Sequence, residues 1–199
     1  MTVPGSYFDR LYAASDDPWG FRDRWYERRK RALTMALLPD ARYGTAYEPG
    51  CSIGLLTAEL AGRCDRLLAT DIAPAAVEAA RHRTRDLPHV DVQVAALPAD
   101  WPPGGHDLVV LSEVGYYLDR PAAADLAHRA AGTAGTLLAV HWRPDVGDYP
   151  LGGDDVHDLL ATATRTAGLT HLAHHRDDDL VADVWCTDPR SVATRTGLR

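Results

Sequence analysis

From residue 44 onward, short apolar runs recur along the chain: GTAYE at 44–48, RLLAT at 66–70, VDVQVA at 90–95, DLVVLS at 107–112 and GTLLAVH at 135–141. Several are apolar without strict alternation, which is the pattern of strands buried on both faces. Between them lie segments with helical spacing near 54–62, 74–85 and 120–131. Asp71 with Pro74, and Asp119 with Pro121, mark two helix starts, because proline's missing N–H and fixed φ suit a first helical turn. Strand–helix alternation of this kind predicts a parallel sheet with helices on both faces. The rhythm then breaks. After a helix near 153–167, the runs 169–175 and 180–186 are separated by Asp177-Asp178-Asp179 and read as an antiparallel hairpin.

The first 40 residues are different. Seven of the fifteen aromatics (Tyr7, Phe8, Tyr12, Trp19, Phe21, Trp25 and Tyr26) fall within the first 26 positions. Residues 20–38 have the spacing of an amphipathic helix through Trp25, Arg29, Leu33, Ala36 and Leu37, and Pro39 ends it. This aromatic segment is either a helix packed on the core or a lid over a ligand cleft. At 199 residues the whole is expected to be one domain: a helical lid over 1–38, an α/β core over 40–187 and a tail over 188–199.

With 46% hydrophobic and 25% charged residues, the chain has the composition of a folded soluble protein. A formal net charge of −7 opposes a nucleic-acid partner. The N-terminus has no apolar run of the secretory kind, and no membrane span is expected. Cys51, Cys64 and Cys186 show no CxxC or zinc-ligand spacing, which suits reduced thiols in a cytoplasm. The only lysine, Lys30, sits among the arginines at 22, 24, 28, 29 and 31, with Asp23 and Glu27 interspersed. That mixture reads as a salt-bridged helix face, so Lys30 is discounted as a Schiff-base former. His171, His174 and His175 precede Asp177–Asp179. In a regular strand His171 and His175 would share a face and His174 would point away, so a solvated edge is expected and no metal.

Open parallel sheets bind ligands at the carboxyl ends of their strands. After the first strand comes EPGCSIG, residues 48–54, where Gly50 and Gly54 bracket a tight strand-to-helix turn. Asp71 ends the second strand, 21 residues beyond Gly50, the spacing of a carboxylate that accepts from a ribose diol. A nucleoside-type ligand follows. A nicotinamide enzyme would want GxGxxG, whose middle glycine this loop lacks. The same residues spell GxSxG, so a serine hydrolase with Ser52 as nucleophile and His141 as base is a reading of another class, although that elbow should follow several strands.

The order Glu-x-Gly-x-x-x-Gly, an acidic end to strand two and a closing hairpin resembles the class I S-adenosylmethionine-dependent methyltransferases. The string SYFDRLYAASDDPWGFRDRWYERRK (6–30), with EPGCSIG, SEVGYYL (112–118) and HWR (141–143), is similar to the NodS-like N-methyltransferase branch. The resemblance implies a Rossmann-like, seven-stranded, mostly parallel sheet with a C-terminal antiparallel hairpin. It implies S-adenosyl-L-methionine as cofactor, S-adenosyl-L-homocysteine as product, and a small-molecule amine, such as that of a deacetylated chitooligosaccharide, as acceptor. A small-molecule O-methyltransferase is the alternative within the fold. By the family pattern Glu48, Gly50, Cys51, Ser52 and Gly54 line the methionine and ribose part, with Ser52 standing where the family has a glycine. Asp71 holds the ribose hydroxyls and Ile72 lies against the adenine, which Ala96, Leu97 and Pro98 edge. Ser112, Glu113 and Val114 face the reactive methyl, and Trp19 and Tyr26 belong to a lid. Glu113 and His141 end neighbouring strands. Glu113 is therefore expected to attract the substrate ammonium and His141 to accept a proton. Tyr116, Tyr117 and Trp142 are expected to wall the substrate, since aromatic faces suit sugar rings and cations.

Overall fold

The computed structural model describes residues 1–199. Seven strands form one sheet: β1 Tyr43–Pro49, β2 Cys64–Asp71, β3 Val90–Val94, β4 His106–Ser112, β5 Ala134–Trp142, β6 Thr170–Arg176 and β7 Leu180–Cys186. Their order is β3-β2-β1-β4-β5-β7-β6. The first five are parallel, whereas β7 inserts antiparallel between β5 and β6. Each predicted strand is found within a residue or two of its expected bounds.

The strand runs are apolar on both faces because both faces are covered. In β4 and β5, Leu108, Val110, Leu138 and Val140 join one core, with Leu56 and Leu60 of α3 (Leu55–Ala61). Val109, Leu111, Leu137 and Ala139 join the other, under α5 (Arg120–Thr133) and α6 (Gly153–Thr166). Helix α4 (Pro74–Thr84) covers β2 and β3 through Val77 and Ala80. Asp119 caps α5 by accepting from Ala122 N–H at 3.2 Å. Asp71 stops short of that role: Ala73 is the cap residue of α4, and Asp71 accepts its N–H at 2.9 Å. No helix is long and apolar enough to cross a membrane.

The N-terminal segment holds two helices rather than one. Helix α1 (Gly5–Ala14) begins after Pro4 without a side-chain cap, and it packs Phe8 on Ala73 and Ala76 at the start of α4. Helix α2 (Trp25–Leu37) starts five residues later than the spacing suggested. Asp17 accepts the N–H groups of Phe21 and Arg22, and Gly20 sits at φ 72°, so the chain turns there before α2 can begin.

Gly54 serves packing rather than the ligand. It lies at φ 76°, and a Cβ there would stand 2.9 Å from both Cα and Cβ of Ala80 in α4. A side chain would meet backbone in a left-handed conformation that only glycine adopts freely. Gly54→Ala is therefore expected to destabilise the protein by about 2–4 kcal/mol, lowering Tm by roughly 5–12 °C in thermal unfolding.

Candidate active site

The carboxyl ends of β1, β2, β4 and β5 open on a cavity of 570 Å³ that the N-terminal segment covers. That segment is fastened across the rim: Val3 N–H donates to Tyr117 O at 2.8 Å, and Thr2 and Asp119 exchange two hydrogen bonds at 3.2 and 3.1 Å. Phe8 sets its ring edge-on to Tyr117 with centroids 5.0 Å apart. Both readings of the aromatic cluster therefore meet in one structure, since α1 is packed on α4 and also roofs the cleft.

The turn after β1 is built around Asp71. Gly50 and Cys51 donate their N–H groups to Thr70 O at 2.7 and 2.9 Å, and Ser52 N–H donates to Asp71 Oδ2 at 2.9 Å. Gly50 takes φ 74°, where a Cβ would come within 3.0 Å of Val114. Ser52 takes φ 50°, the left-handed conformation a glycine would supply, and its Oγ pairs with Tyr12 Oη at 2.6 Å. Two backbone N–H donors leave Asp71 with acceptor capacity toward the cavity. Burial raises its pKa, partly offset by those N–H groups. Glu48, deeper in the floor, is fully buried with Oε2 unpartnered. Burial, reinforced by Asp71, pushes its carboxyl up to about 8.

At the other end of the cavity stands an ion cluster. Lys30 Nζ lies 2.8 Å from Glu27 and 3.1 Å from Glu113 Oε1, with all three side chains largely buried. Burial alone would lower the lysine pKa; Glu113 and Glu27 reverse it and raise it instead. Glu113 follows β4 at φ 60°, costly for a residue with a Cβ and maintained by what its carboxylate holds. Its Oε2 accepts from Trp142 N–H at 3.1 Å and from the Tyr116 hydroxyl. Tyr26 packs edge-to-face on Trp142 at 5.1 Å, and its hydroxyl, buried, has no partner. Burial, then Glu113 and Glu27, hold that phenol far above its usual range. Tyr116 stacks on Tyr149 with planes 14° apart, and Tyr117 meets the same ring at 4.7 Å. Five acidic side chains (Glu27, Glu48, Asp71, Glu113 and Asp179), of which Glu48 holds its proton most tightly, line the cavity with three basic ones (Arg24, Lys30 and Arg31).

Most of the predicted residues meet here. Trp19, Tyr26, Glu48, Gly50, Cys51, Ser52, Asp71, Ile72, Leu97, Ser112, Glu113, Val114, Tyr116, Tyr117 and Trp142 all line the cavity. Gly54, Ala96 and Pro98 do not; Ala96 N–H donates away, to Asp100 at 2.9 Å. His141 is the main correction. It is 0% exposed, under α6, on the face of β5 opposite the one Val140 presents. Gly115 N–H donates to its Nε2 at 3.2 Å, and its Nδ1 pairs with His157 Nε2 at 3.1 Å. Both nitrogens are engaged, and burial, His157 and Lys30 push its pKa well below the usual value, so it is no proton acceptor for the cleft. Ser52 accordingly lacks the base expected for a serine hydrolase: its Oγ pairs with Tyr12 Oη, and His141 is bonded elsewhere at both nitrogens. The reading from sequence missed Tyr12, Glu27, Lys30 and Tyr149. A solitary lysine three residues from a glutamate is the available signal for Lys30, which the charge pattern assigns to a salt-bridged helix face.

The strand order, the antiparallel insertion of β7 and a cleft at the switch between β1 and β4 define the Rossmann-like methyltransferase fold. The family description for nodulation protein S (NodS) matches residues 8–130. This chain belongs to the NodS family. A candidate methyltransferase from Pseudomonas syringae is 45% identical and superposes with a TM-score of 0.71, over 81% of this chain and 99% of that one. The N-methyltransferase NodS of Bradyrhizobium japonicum, solved with S-adenosyl-L-homocysteine, is 24% identical with a TM-score of 0.80, over 90% and 96% of the two chains. Nodulation protein S of Rhizobium tropici is 34% identical over 106 residues, 53% of this chain and 44% of the relative. The chain thus spans about half the length of the curated relatives it matches.

The buried carboxyl of Glu48 generates a prediction. Its native pKa of about 8 exceeds the ordinary 4.5, so the folded state binds the extra proton and stability falls as pH rises through that window. Thermal melts of the ligand-free protein at the two ends of the window should show a smaller loss of Tm in Glu48→Gln than in wild type. An unchanged loss would mean that Glu48 is ionised in the folded protein.

Proposed function

We propose that the chain is an S-adenosylmethionine-dependent N-methyltransferase whose acceptor is a small-molecule amine, with an amino sugar as the leading class. The observation that carries this reading is the division of one cavity into a nucleoside end at Asp71 and a carboxylate-rich aromatic end at Glu113. When bound, the cofactor supplies an electrophilic methyl group on a sulfonium centre. Asp71 is suited to accept from ribose hydroxyls, Ile72 and Leu97 to flank the base, and Glu48 to lie near the ammonium group of the amino acid end.

At the far end, Glu27 and Glu113 carry one more negative charge than Lys30 neutralises. Such a surplus in a largely apolar cavity favours entry of an ammonium ion. The bound ammonium releases its proton to water or to the Glu113 carboxylate, and the neutral Tyr26 hydroxyl then offers a lone pair to an N–H of the resulting amine. Tyr116 and Tyr149 present stacked faces to a sugar ring or a cation. Holding the nucleophile in line with the methyl is most of the catalytic task, since effective molarity alone supplies roughly 7–11 kcal/mol. An oxygen acceptor fits less well. Its proton needs a base, and the one imidazole expected for that work is outside the cavity.

Calorimetric titration with S-adenosyl-L-homocysteine should give micromolar binding, weakened about 10- to 100-fold in Asp71→Ala by loss of charge-assisted hydrogen bonds. In Glu113→Gln the same titration should be nearly unchanged while amine methylation falls by about 100-fold or more. Absence of nucleoside binding by the wild-type protein would reject the cofactor assignment. Full turnover by Glu113→Gln would reject the role of Glu113.

A further inference from the structure

Away from the cleft, at the outer edge of the sheet, lies a side-chain cluster with no part in the chemistry above. Asp183 sits in the middle of β7, a strand buried along its whole length, and is itself only 6% exposed. An ionised carboxylate there is costly unless fully bonded. His157 of α6 pairs through Nδ1 with Asp183 Oδ2 at 2.5 Å. On the other side, His171 Nε2 and His174 Nδ1 both approach Oδ1, at 2.5 and 2.8 Å.

In a regular strand His171 and His174 would point to opposite faces. A bulge between His171 and Ala173 inserts one extra residue into β6, so that His171 pairs with Trp185 while His174 pairs with Asp183. The insertion shifts the alternation by one and brings both imidazoles to the same face. His171 is braced further by stacking on Trp185, with centroids 5.5 Å apart and planes 29° apart. His175, by contrast, turns to Asp177.

We propose that His171 Nε2, His174 Nδ1 and Asp183 Oδ1 form a three-ligand site for a divalent transition-metal ion, zinc in the first place, at the β6–β7 edge. The three atoms lie within 4.8 Å of one another and combine two imidazoles with a carboxylate, a donor set suited to zinc. In a tetrahedral site with ligand bonds of about 2.0–2.2 Å, neighbouring donors stand roughly 3.3 Å apart. To reach that spacing both histidines lengthen their distance to Oδ1, and the two imidazole nitrogens, which lie within 4.8 Å of one another, close on each other. Both rings are half-exposed on an edge strand, where side-chain adjustment is least hindered. Each histidine now shares a proton with Oδ1. On metal binding that proton moves to the other ring nitrogen, and the lone pair released is donated to the ion. With both imidazoles half-exposed, water would complete the coordination. His157, on the carboxylate's other oxygen, is a positioning residue of the kind that orients metal ligands.

The consequence is a clamp on the edge strand. It joins a line of contacts from Asp183 through His157 and His141 to Gly115, in the turn that follows Glu113. The inference rests on the sheet edge alone and holds whatever ligand the cleft takes.

Visible absorption of the chelator-treated protein during Co²⁺ titration tests the site. One equivalent should bind with d–d bands of four-coordinate intensity and without a thiolate charge-transfer band, because the three cysteines are buried elsewhere. Added Zn²⁺ should abolish the bands. His171→Ala/His174→Ala should bind at least about 100-fold more weakly, His157→Gln about 10- to 100-fold more weakly, and His175→Ala as wild type. Zn²⁺ should raise Tm for wild type and not for the double variant, each protein compared with itself so that altered basal stability does not enter. No stoichiometric binding, a thiolate band, or equal affinity in the double variant would overturn the proposal.

Discussion

A buried ion cluster holds the N-terminal helices to the sheet. Lys30 reaches from α2 to Glu113 at the end of β4, with Glu27 completing its coordination. Taking these charges out of water is unfavourable by itself, and removing one partner of such a cluster typically costs about 3–5 kcal/mol because the others are left uncompensated. The cluster therefore specifies geometry more than it adds stability. It fixes the angle of α2 over the sheet and holds Glu113 in a left-handed conformation that its backbone would not choose. It also aligns Tyr116 and Trp142, both bonded to the Glu113 carboxylate, along one wall of the cavity.

The rest of the site follows from sheet topology. Parallel strands end together, and the order β3-β2-β1-β4-β5 reverses direction at β1, leaving a crevice between β1 and β4. Asp71 organises the turn at one side of that crevice by accepting Ser52 and Ala73 N–H groups, and Glu113 organises the other. Helix α1 roofs both. A single cleft thus has the Asp71 turn at one end and a carboxylate-rich aromatic wall at the other, and the proposed transfer rests on that division.

The strands and most cleft residues were legible in the sequence because buried parallel strands are continuous apolar runs and the chemistry sits just after each one. What was not legible depends on tertiary pairing. Helix α1 has no capping side chain at Pro4 and draws its stability from Phe8 on α4 and Tyr117. His141 ends a strand as expected, but the turn through Gly115 and the approach of α6 place it beneath the site wall, bonded at both nitrogens. Lys30 lies in an arginine-rich stretch that reads as a salt-bridged helix face, and what that pattern does not show is its second partner, Glu113, 83 positions away at the end of β4. The bulge in β6 leaves no local sign, because it is set by how β6 pairs with β7, and it alone reverses the side on which His174 stands.

The most direct test is the position of the transferred methyl group. The protein would be incubated with S-adenosyl-L-methionine carrying an isotopic label in its methyl group, and with matched deacetylated and fully acetylated chitooligosaccharides. Tandem mass spectrometry of the products then locates the label. The charge balance of the cavity and the absence of an imidazole from it predict label on the free amine nitrogen of the deacetylated sugar and none on the acetylated one. Label on a hydroxyl oxygen, or equal methylation of both sugars, would contradict the account.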